Sequence, residues 1–423
     1  MKNFLDISED LISDSVLIID VDGTLVPNKN KDLSSYVVDK LKKLSKTNEI
    51  WLCSNGSSAN AANFAKILSV QSFRCLKPFR GEIENIVPKT LKKIVIGDKY
   101  LTDGLFAKCI GANFIKIDHL RGETDSLYIK VTYLLDDVVW SLKNYFVLMR
   151  PWQWVKNLLV IAPVFFAGEF VDKSILLNVF WATVIFSVFA SAMYVFNDIL
   201  DTEKDKNHPK KKFRPLASGV VRTKEAWLLF IILVMLGSVG LYFEPAIIFM
   251  VLSYVALNIF YSILLKRVPV IDAISVALSY VLRVLVGGVA TSTYVSPWII
   301  LCVFFGALFV VFGKRLAEFY NNDRRHVLNY YSKKILSFLF LCSVIATVIV
   351  YAVWSVFSHH SPYLIYSTVF VAVALFRVYY LIRKGNELGE SPEILVFKDR
   401  TIFISFVVWL GYVSFVFYLV TSA

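Results

Sequence analysis

Residues 196–219 read FNDILDTEKDKNHPKKKFRPLASG, and they follow directly on NVFWATVIFSVFASAMYVF, residues 178–196, which is apolar almost throughout. Four carboxylates, six Lys or Arg and one His are thus crowded against an apolar run. Charge at that density beside such a run needs either water or a charged ligand. If the helix continues through the boundary, Asp198, Asp201 and Asp205 fall at i, i+3 and i+7 on one face. Like charges stacked on one face repel unless a cation lies among them.

The surrounding chain decides where this stretch resides. The 423 residues are 57% apolar and 15% aromatic, above the roughly 45–50% apolar content of a soluble globule. The excess is uneven. Residues 1 to 120 mix charged and apolar residues, whereas nine long apolar segments follow, at 155–169, 175–196, 224–242, 246–265, 271–290, 296–313, 335–357, 362–382 and 401–421. Each approaches the roughly 20 residues that cross a bilayer as a helix, although Pro163 interrupts the first. The expected organisation is a soluble domain over 1–120, a linker with an amphipathic juxtamembrane segment over 121–150, and an all-α multi-pass membrane bundle over 151–423.

The net charge is +12, but most of the Lys and Arg in the second half gather in alternate loops, a topology pattern and not a nucleic-acid surface. That bias predicts a protein of the cytoplasmic membrane with its N-terminal domain and charged loops in the cytoplasm and its C-terminus outside. The start, MKNFLDISED, lacks the apolar core of a signal peptide. Cys53, Cys75, Cys109, Cys302 and Cys342 form no CxxC pair and no regular framework, so their spacing predicts neither a zinc site nor structural disulfides and fits a reduced compartment.

Topology alone explains many of the basic loop residues, and a solvated loop is the plain reading of 196–219. Asp198, Asp201 and Asp205 beside Lys210, Lys211, Lys212 and Arg214 ask for more. Hard divalent ions such as Mg²⁺ take oxygen ligands and join carboxylates to phosphates, so the stretch reads as a metal and diphosphate site. A second constellation is Tyr261, Lys266, Asp272 and Arg283. An ionisable residue as deep in an apolar helix as Arg283 is costly to bury unpaired and points to function; the plain alternative is a bridge from Arg283 to Asp272 or to another helix.

These motifs carry a resemblance. NDILDTEKD resembles the N-D-x-x-D-x-x-x-D pattern of the UbiA superfamily of intramembrane prenyltransferases. HPKKKFRPLASG, RPWQWVKNLLVIAPVFFAG and YSILLKRVPVIDAISVALSYVLR, with KRLAEF and SPEILVFKDR further on, are similar to its branch that transfers phosphoribose to decaprenyl phosphate. The resemblance spans about residues 148–423. It implies a nine-helix bundle, Mg²⁺, and 5-phosphoribosyl 1-diphosphate and polyprenyl phosphate as substrates. It further implies Asn197, Asp198, Asp201 and Asp205 at the metal, with Lys210, Lys211 and Arg214 on donor phosphates. Lys156, Asn157, Tyr261, Lys266, Asp272 and Arg283 would surround ribose and acceptor. A phosphate acceptor is already an anionic nucleophile, so no general base is required; His208, His326, His359 and His360 are the histidines of this half.

The first 120 residues alternate apolar runs, SVLIIDVDGTLVP, EIWLCSNG, KKIVIGDKYLTDG and ANFIKID, with helical patterns such as LSSYVVDKLKKLSK. Such alternation predicts an α/β domain with a doubly wound parallel sheet whose site lies at the strand C-terminal ends. The first three runs deliver Asp20 and Asp22, then Ser54, then Asp98 with Asp103. This set resembles the haloacid dehalogenase-like phosphatases over residues 14–118. The resemblance implies Asp20 as nucleophile, Asp22 as general acid then base, Ser54 and Lys77 on phosphoryl oxygens, and Asp98 completing a Mg²⁺ site with Asp20 and Asp22, Asp103 nearby. Short spacings leave little room for a cap, so the site should be open.

The expected protein is therefore bifunctional: it transfers phosphoribose to a membrane lipid and removes the 5-phosphate, giving a precursor of lipid-linked arabinose donors. Two alternatives stand beside it, an aromatic or quinone-precursor prenyltransferase using polyprenyl diphosphate, and a lipid-binding bundle carrying a sensory domain. Homo-oligomers are left open.

Overall fold

The strand β1 (Ser15–Asp20) is buried at every position, as a strand covered on both faces must be. It pairs in parallel with β2 (Glu49–Ser54) on one side and β4 (Lys92–Gly97) on the other. β3 (Gln71–Arg74) extends the sheet beyond β2, and β5 (Asn113–Lys116) extends it beyond β4, giving the order β3-β2-β1-β4-β5. Alternate residues face opposite layers. Leu17, Ile19, Ile50, Leu52, Ile94 and Ile96 meet α1 (Ser35–Leu44) and α2 (Ser58–Leu68) through Leu41 and Phe64. Val16, Ile18, Trp51 and Val95 meet α3 (Leu105–Cys109) through Phe106. Fully burying one such aliphatic side chain contributes about 1.5–3 kcal/mol. The parallel sheet agrees with the alternation of the sequence; β3 is an addition, a four-residue strand too short to signal itself.

The structure is a computed structural model that describes residues 3–422 apart from 8–11, 13, 29, 31, 56–57, 75–76, 80–91, 123–124, 170–171, 209–210, 321–329, 358–360, 386–394 and 396–397. Lys210, Cys75, His326, His359 and His360 lie outside the described residues. The chain divides into two compact units, Met1–Val147 with His208–Arg222, and Leu148–Asn207 with Thr223–Ala423. The helix α4 (Leu127–Met149) belongs to the first unit up to Val147.

In the second unit, eight helical segments among the described residues are long and apolar enough to cross a membrane, from Lys173–Lys206 to Arg400–Leu419. The first of the nine expected segments takes another form. It is an eleven-residue 3₁₀ helix, Pro151–Ile161, followed by the short α5 (Ala162–Ala167) with Pro163 in its first turn. Two later helices outrun their apolar runs: α6 (Lys173–Lys206) continues through the carboxylates, and α10 (Pro297–Tyr320) carries Arg315 and Glu318 as buried residues. KRLAEF is thus helix, beyond the apolar run expected to end at 313. Between them run α7 (Thr223–Phe243), α8 (Ile248–Ile263) and α9 (Ile271–Thr291), and α11 (Lys333–Phe357), α12 (Thr368–Arg383) and α13 (Arg400–Ser422) complete the bundle.

One expectation is corrected. Cys53 is disulfide-bonded, whereas Cys109, Cys302 and Cys342 are free; pairing depends on which segments the fold brings together, which spacing along the chain does not carry. The plain alternative for Arg283, a bond to Asp272 or to another helix, takes its second form. Asp272 forms a buried ion pair with Arg315 of α10, and Arg283 turns to Asn157.

Candidate functional sites

In the first unit, β1, β2 and β4 end side by side because β1 is central, and their last residues open a cavity of about 350 Å³. Among the described lining residues all but Ile129 are polar or charged, with Asp20, Asp22, Ser54, Asn55, Lys77 and Asp98 at its heart. Lys77 donates to both Asp20 and Asp103 and is placed by Asn55, whose side chain accepts from the Lys77 backbone N–H at 2.7 Å. Ser54 Oγ donates to Asp22 at 3.0 Å. Thr24 Oγ1 donates to Asp20 at 3.2 Å and to Asp98 at 3.4 Å. Gly23 has a left-handed φ of +84°, and a Cβ there would lie 2.4 Å from Asp98 Oδ2, so the Asp20–Thr24 loop requires glycine at this point.

One ammonium shared by two buried carboxylates compensates neither in full. Burial raises the Asp20 carboxyl, Lys77 opposes that shift and Asp98 adds to it. Burial and then the Asp20 charge push Asp103 up to about 6. Burial alone would lower Lys77, but Asp103 and Asp20 reverse it and hold the ammonium above the usual lysine range. Asp98 is raised by burial against the hydrogen bond from His119. Carboxylate oxygens of Asp20, Asp98 and Asp103 all lie within 4.8 Å of one another, an oxygen-only donor set that suits a hard divalent ion.

Sequence reading missed His119 and the contacts that α4, within the amphipathic segment expected over 121–150, makes at the end of the sheet. One His119 ring nitrogen lies 3.0 Å from Asp98 and the other 3.1 Å from Asp137 of α4, and Tyr133 stacks on the ring at 4.1 Å. Asp136 accepts from the backbone N–H groups of Tyr100 and Leu101 at 3.0 and 2.7 Å and from Lys116. A helix expected to be a juxtamembrane amphipathic segment therefore also buttresses the end of β4.

In the second unit, α6 presents Asn197, Asp198, Asp201 and Asp205 over successive turns. Asp198 is buried and takes Arg150 Nη2 at 2.5 Å. Asp201 takes Lys266, from the turn between α8 and α9, at 2.8 Å. Asp205 is buried as well. Among the described residues Asn197 Oδ1 is buried without a hydrogen-bond partner, a state that costs about 1–3 kcal/mol and that a cation would relieve. An unpartnered amide oxygen beside stacked carboxylates fits a Mg²⁺ ion. Lys211 and Arg214 fall in the segment His208–Arg222, where Lys211 opens a short 3₁₀ turn.

A second cavity, of about 180 Å³, is lined by Lys156, Tyr194, Tyr254, Tyr261, Tyr280 and Arg283 together with Asn258, Ser275 and Ser279. Arg283 is buried, donates to Asn157 Oδ1 at 2.9 Å and to Ser279, and lies over the rings of Phe186, Tyr254 and Tyr280 at 5.3, 5.2 and 5.2 Å. Tyr261, Lys156 and Arg283 are thus brought together, whereas Asp272 is turned to Arg315. A guanidinium with aromatic faces around it and one fixed amide is arranged to receive an anion.

An apolar multi-helix bundle with a carboxylate-bearing helix end defines a multi-pass integral membrane protein. The sequence pattern of the UbiA prenyltransferase family matches residues 158–407, more than half of the chain, and the chain belongs to that family. It is 33% identical to the decaprenyl-phosphate phosphoribosyltransferase of Mycobacterium tuberculosis H37Rv over 283 residues, which span 63% of this chain and 91% of that protein. Against the decaprenyl-phosphate phosphoribosyltransferase of Corynebacterium glutamicum the identity is 34% over 278 residues, 62% of this chain and 83% of that one. The fold is similar to that of a UbiA homolog from Archaeoglobus fulgidus bound to DMAPP and Mg²⁺, with a TM-score of 0.52 at 18% identity over 66% of this chain and 99% of that one.

Proposed function

We propose that the second unit transfers 5-phosphoribose from phosphoribosyl diphosphate to a polyprenyl phosphate of decaprenyl type, releasing diphosphate. The observation that carries this reading is the 33–34% identity to decaprenyl-phosphate phosphoribosyltransferases across nearly the whole helical half. Asn197, Asp198, Asp201 and Asp205 would hold Mg²⁺, which supplies neutralising charge to the leaving diphosphate. Arg150 and Lys266, already drawn to Asp198 and Asp201, stand ready to take phosphate oxygens, with Lys210, Lys211 and Arg214 as further donors. Arg283, fixed by Asn157, would receive an anionic substrate group among Lys156, Tyr194 and Tyr261. Asp272, held by Arg315, anchors the start of α9, from which Ser275 and Ser279 reach the cavity.

The first unit would act on the product as a haloacid dehalogenase-like phosphatase, a reading supported by Asp20, Asp22, Lys77 and Asp98 meeting in one polar cavity. Asp20 attacks phosphorus as the ester oxygen leaves and takes a proton from Asp22; Asp22, oriented by Ser54, then draws a proton from the water that releases phosphate. Lys77 lowers the repulsion between Asp20 and the phosphoryl oxygens, and Asp20, Asp98 and Asp103, whose carboxylate oxygens lie within 4.8 Å of one another, would hold a second Mg²⁺. The order of steps follows from chemistry: the transfer product still carries the 5-phosphate that a phosphatase removes. An aromatic prenyltransferase reading leaves this cavity without a task.

Membranes given labelled phosphoribosyl diphosphate, polyprenyl phosphate and Mg²⁺ test both steps. The expected result is labelled polyprenyl phosphoribose from the parent and the 5-phosphorylated lipid from Asp20→Asn. No labelled lipid from either chain overturns the transferase reading, a phosphorylated lipid from both overturns the phosphatase, and a prenylated aromatic product favours the alternative.

A further inference from the structure

The helix α4 has two faces of opposite character. Tyr133, Asp136 and Asn144 are buried, the first two against Asn28, His119 and the Tyr100–Leu101 backbone, and Trp140 packs on the rings of Tyr100 and Phe114 at 5.2 and 6.0 Å. On the other side Leu127, Leu134, Leu135, Val138, Leu142 and Phe146 are 48–78% exposed. At about 100° per residue the two sets centre on opposite sides of the helix. The exposed stripe contains no charge, and Lys130 borders it. A continuous apolar stripe along about 30 Å of helix is not a feature that a soluble domain leaves in water.

We infer that this face of α4 lies in the surface of a lipid bilayer and seats the first unit on the membrane. Continuity favours lipid over a protein partner. α4 runs unbroken to Met149, and the next residues begin the membrane-embedded half with Trp152, 57% exposed, a residue type concentrated at the membrane–water interface. The stripe has the wide apolar face and flanking lysine of an interfacial helix. The same helix reaches the polar cavity, which Ile129 helps to line. A phosphate borne on a lipid could thus enter that cavity without its chain leaving the bilayer, a corollary that rests on the phosphatase reading.

The test uses the full chain in lipid nanodiscs, with the photoreactive benzoylphenylalanine placed singly at Leu135, at Leu142 and, as a control, at the exposed Tyr36 of α1. Lipid adducts at Leu135 and Leu142 but not at Tyr36 are expected. Adducts with protein alone, from another part of the chain or a second copy, or no lipid adducts at all, overturn the inference. A Leu135→Glu, Leu142→Glu chain gives a functional measure: reconstituted in vesicles that themselves carry a phosphoribosyl lipid, its hydrolysis of that lipid should fall at least tenfold while its hydrolysis of a soluble phosphate ester stays within twofold. Equal rates on both substrates count against the membrane seat. If the parent hydrolyses neither, the phosphatase reading fails, and the crosslinks alone decide the inference.

Discussion

At the scale of single residues, the informative side chains are those that hold a proposed ligand in place from behind. His119 touches Asp98 with one nitrogen and Asp137 with the other, under the ring of Tyr133. Such outer partners typically account for about 10–100-fold in metal affinity or activity. His119→Ala should raise the Mg²⁺ concentration needed for half-maximal phosphate-ester hydrolysis by that order, while phosphoribosyl transfer is unchanged; a Mg²⁺ titration of both activities in one preparation checks this. His119→Asn, which keeps a donor toward Asp98, should recover part of the loss, an outcome that a merely destabilised domain would not give. Arg283 offers the parallel case. A lysine keeps the charge but not the fork that holds Asn157 and Ser279 together. Because those bonds, worth about 1.5–3 kcal/mol for a charged donor, lie inside the folded bundle, Arg283→Lys should lower the melting temperature as well as transfer kcat/KM, the latter about 10–100-fold when measured well below that temperature.

At the scale of elements, what could be read from the sequence was what is local in the chain. Asp198, Asp201 and Asp205 lie on one helix, so their spacing carried their geometry; the β1, β2 and β4 runs ended in the residues that line the polar cavity, because neighbouring parallel strands deliver their ends to one edge. Pairings across the fold were not readable. Nothing near Asp272 names Arg315 as its partner rather than Arg283, nothing near Asp98 names His119, and the apolar count at 155–169 could not distinguish a spanning helix from a 3₁₀ segment. That segment owes its place to Gly287 of α9, where a Cβ would lie 1.8 Å from the carbonyl oxygen of Val160. Since Asn157 belongs to the segment and Arg283 stands one turn before Gly287, the close approach sets the Asn157–Arg283 contact. Gly287→Ala should therefore push the segment away, destabilise the bundle by about 1–3 kcal/mol as overpacking does, and weaken transfer more than the stability loss explains. Thermal unfolding in detergent and the transfer rate well below the melting temperature separate the two effects.

At the scale of the whole molecule, the question is whether two chemistries on one chain must be on the same copy. The proposed intermediate is a polyprenyl phosphoribose 5-phosphate whose long apolar chain keeps it in the bilayer, where transfer to water is opposed by about 0.8 kcal/mol per CH₂. It cannot leave the membrane, but it can diffuse within it from one copy to another. The second cavity, at about 180 Å³, has room for a head group and not for a polyprenyl chain. Asp201→Asn, which removes a carboxylate from the α6 face, should abolish transfer and leave phosphate-ester hydrolysis intact; Asp20→Asn should do the reverse. Reconstituted separately, neither chain should form dephosphorylated lipid from phosphoribosyl diphosphate. Reconstituted in the same vesicles they should form it, at a rate that rises with the surface density of the Asp201→Asn chain, because the two copies exchange their lipid through the bilayer. Separate vesicles mixed afterwards should stay inactive. Failure of the co-reconstituted pair, with both single activities present, would instead mean that the intermediate passes between the sites of one chain without entering the surrounding lipid.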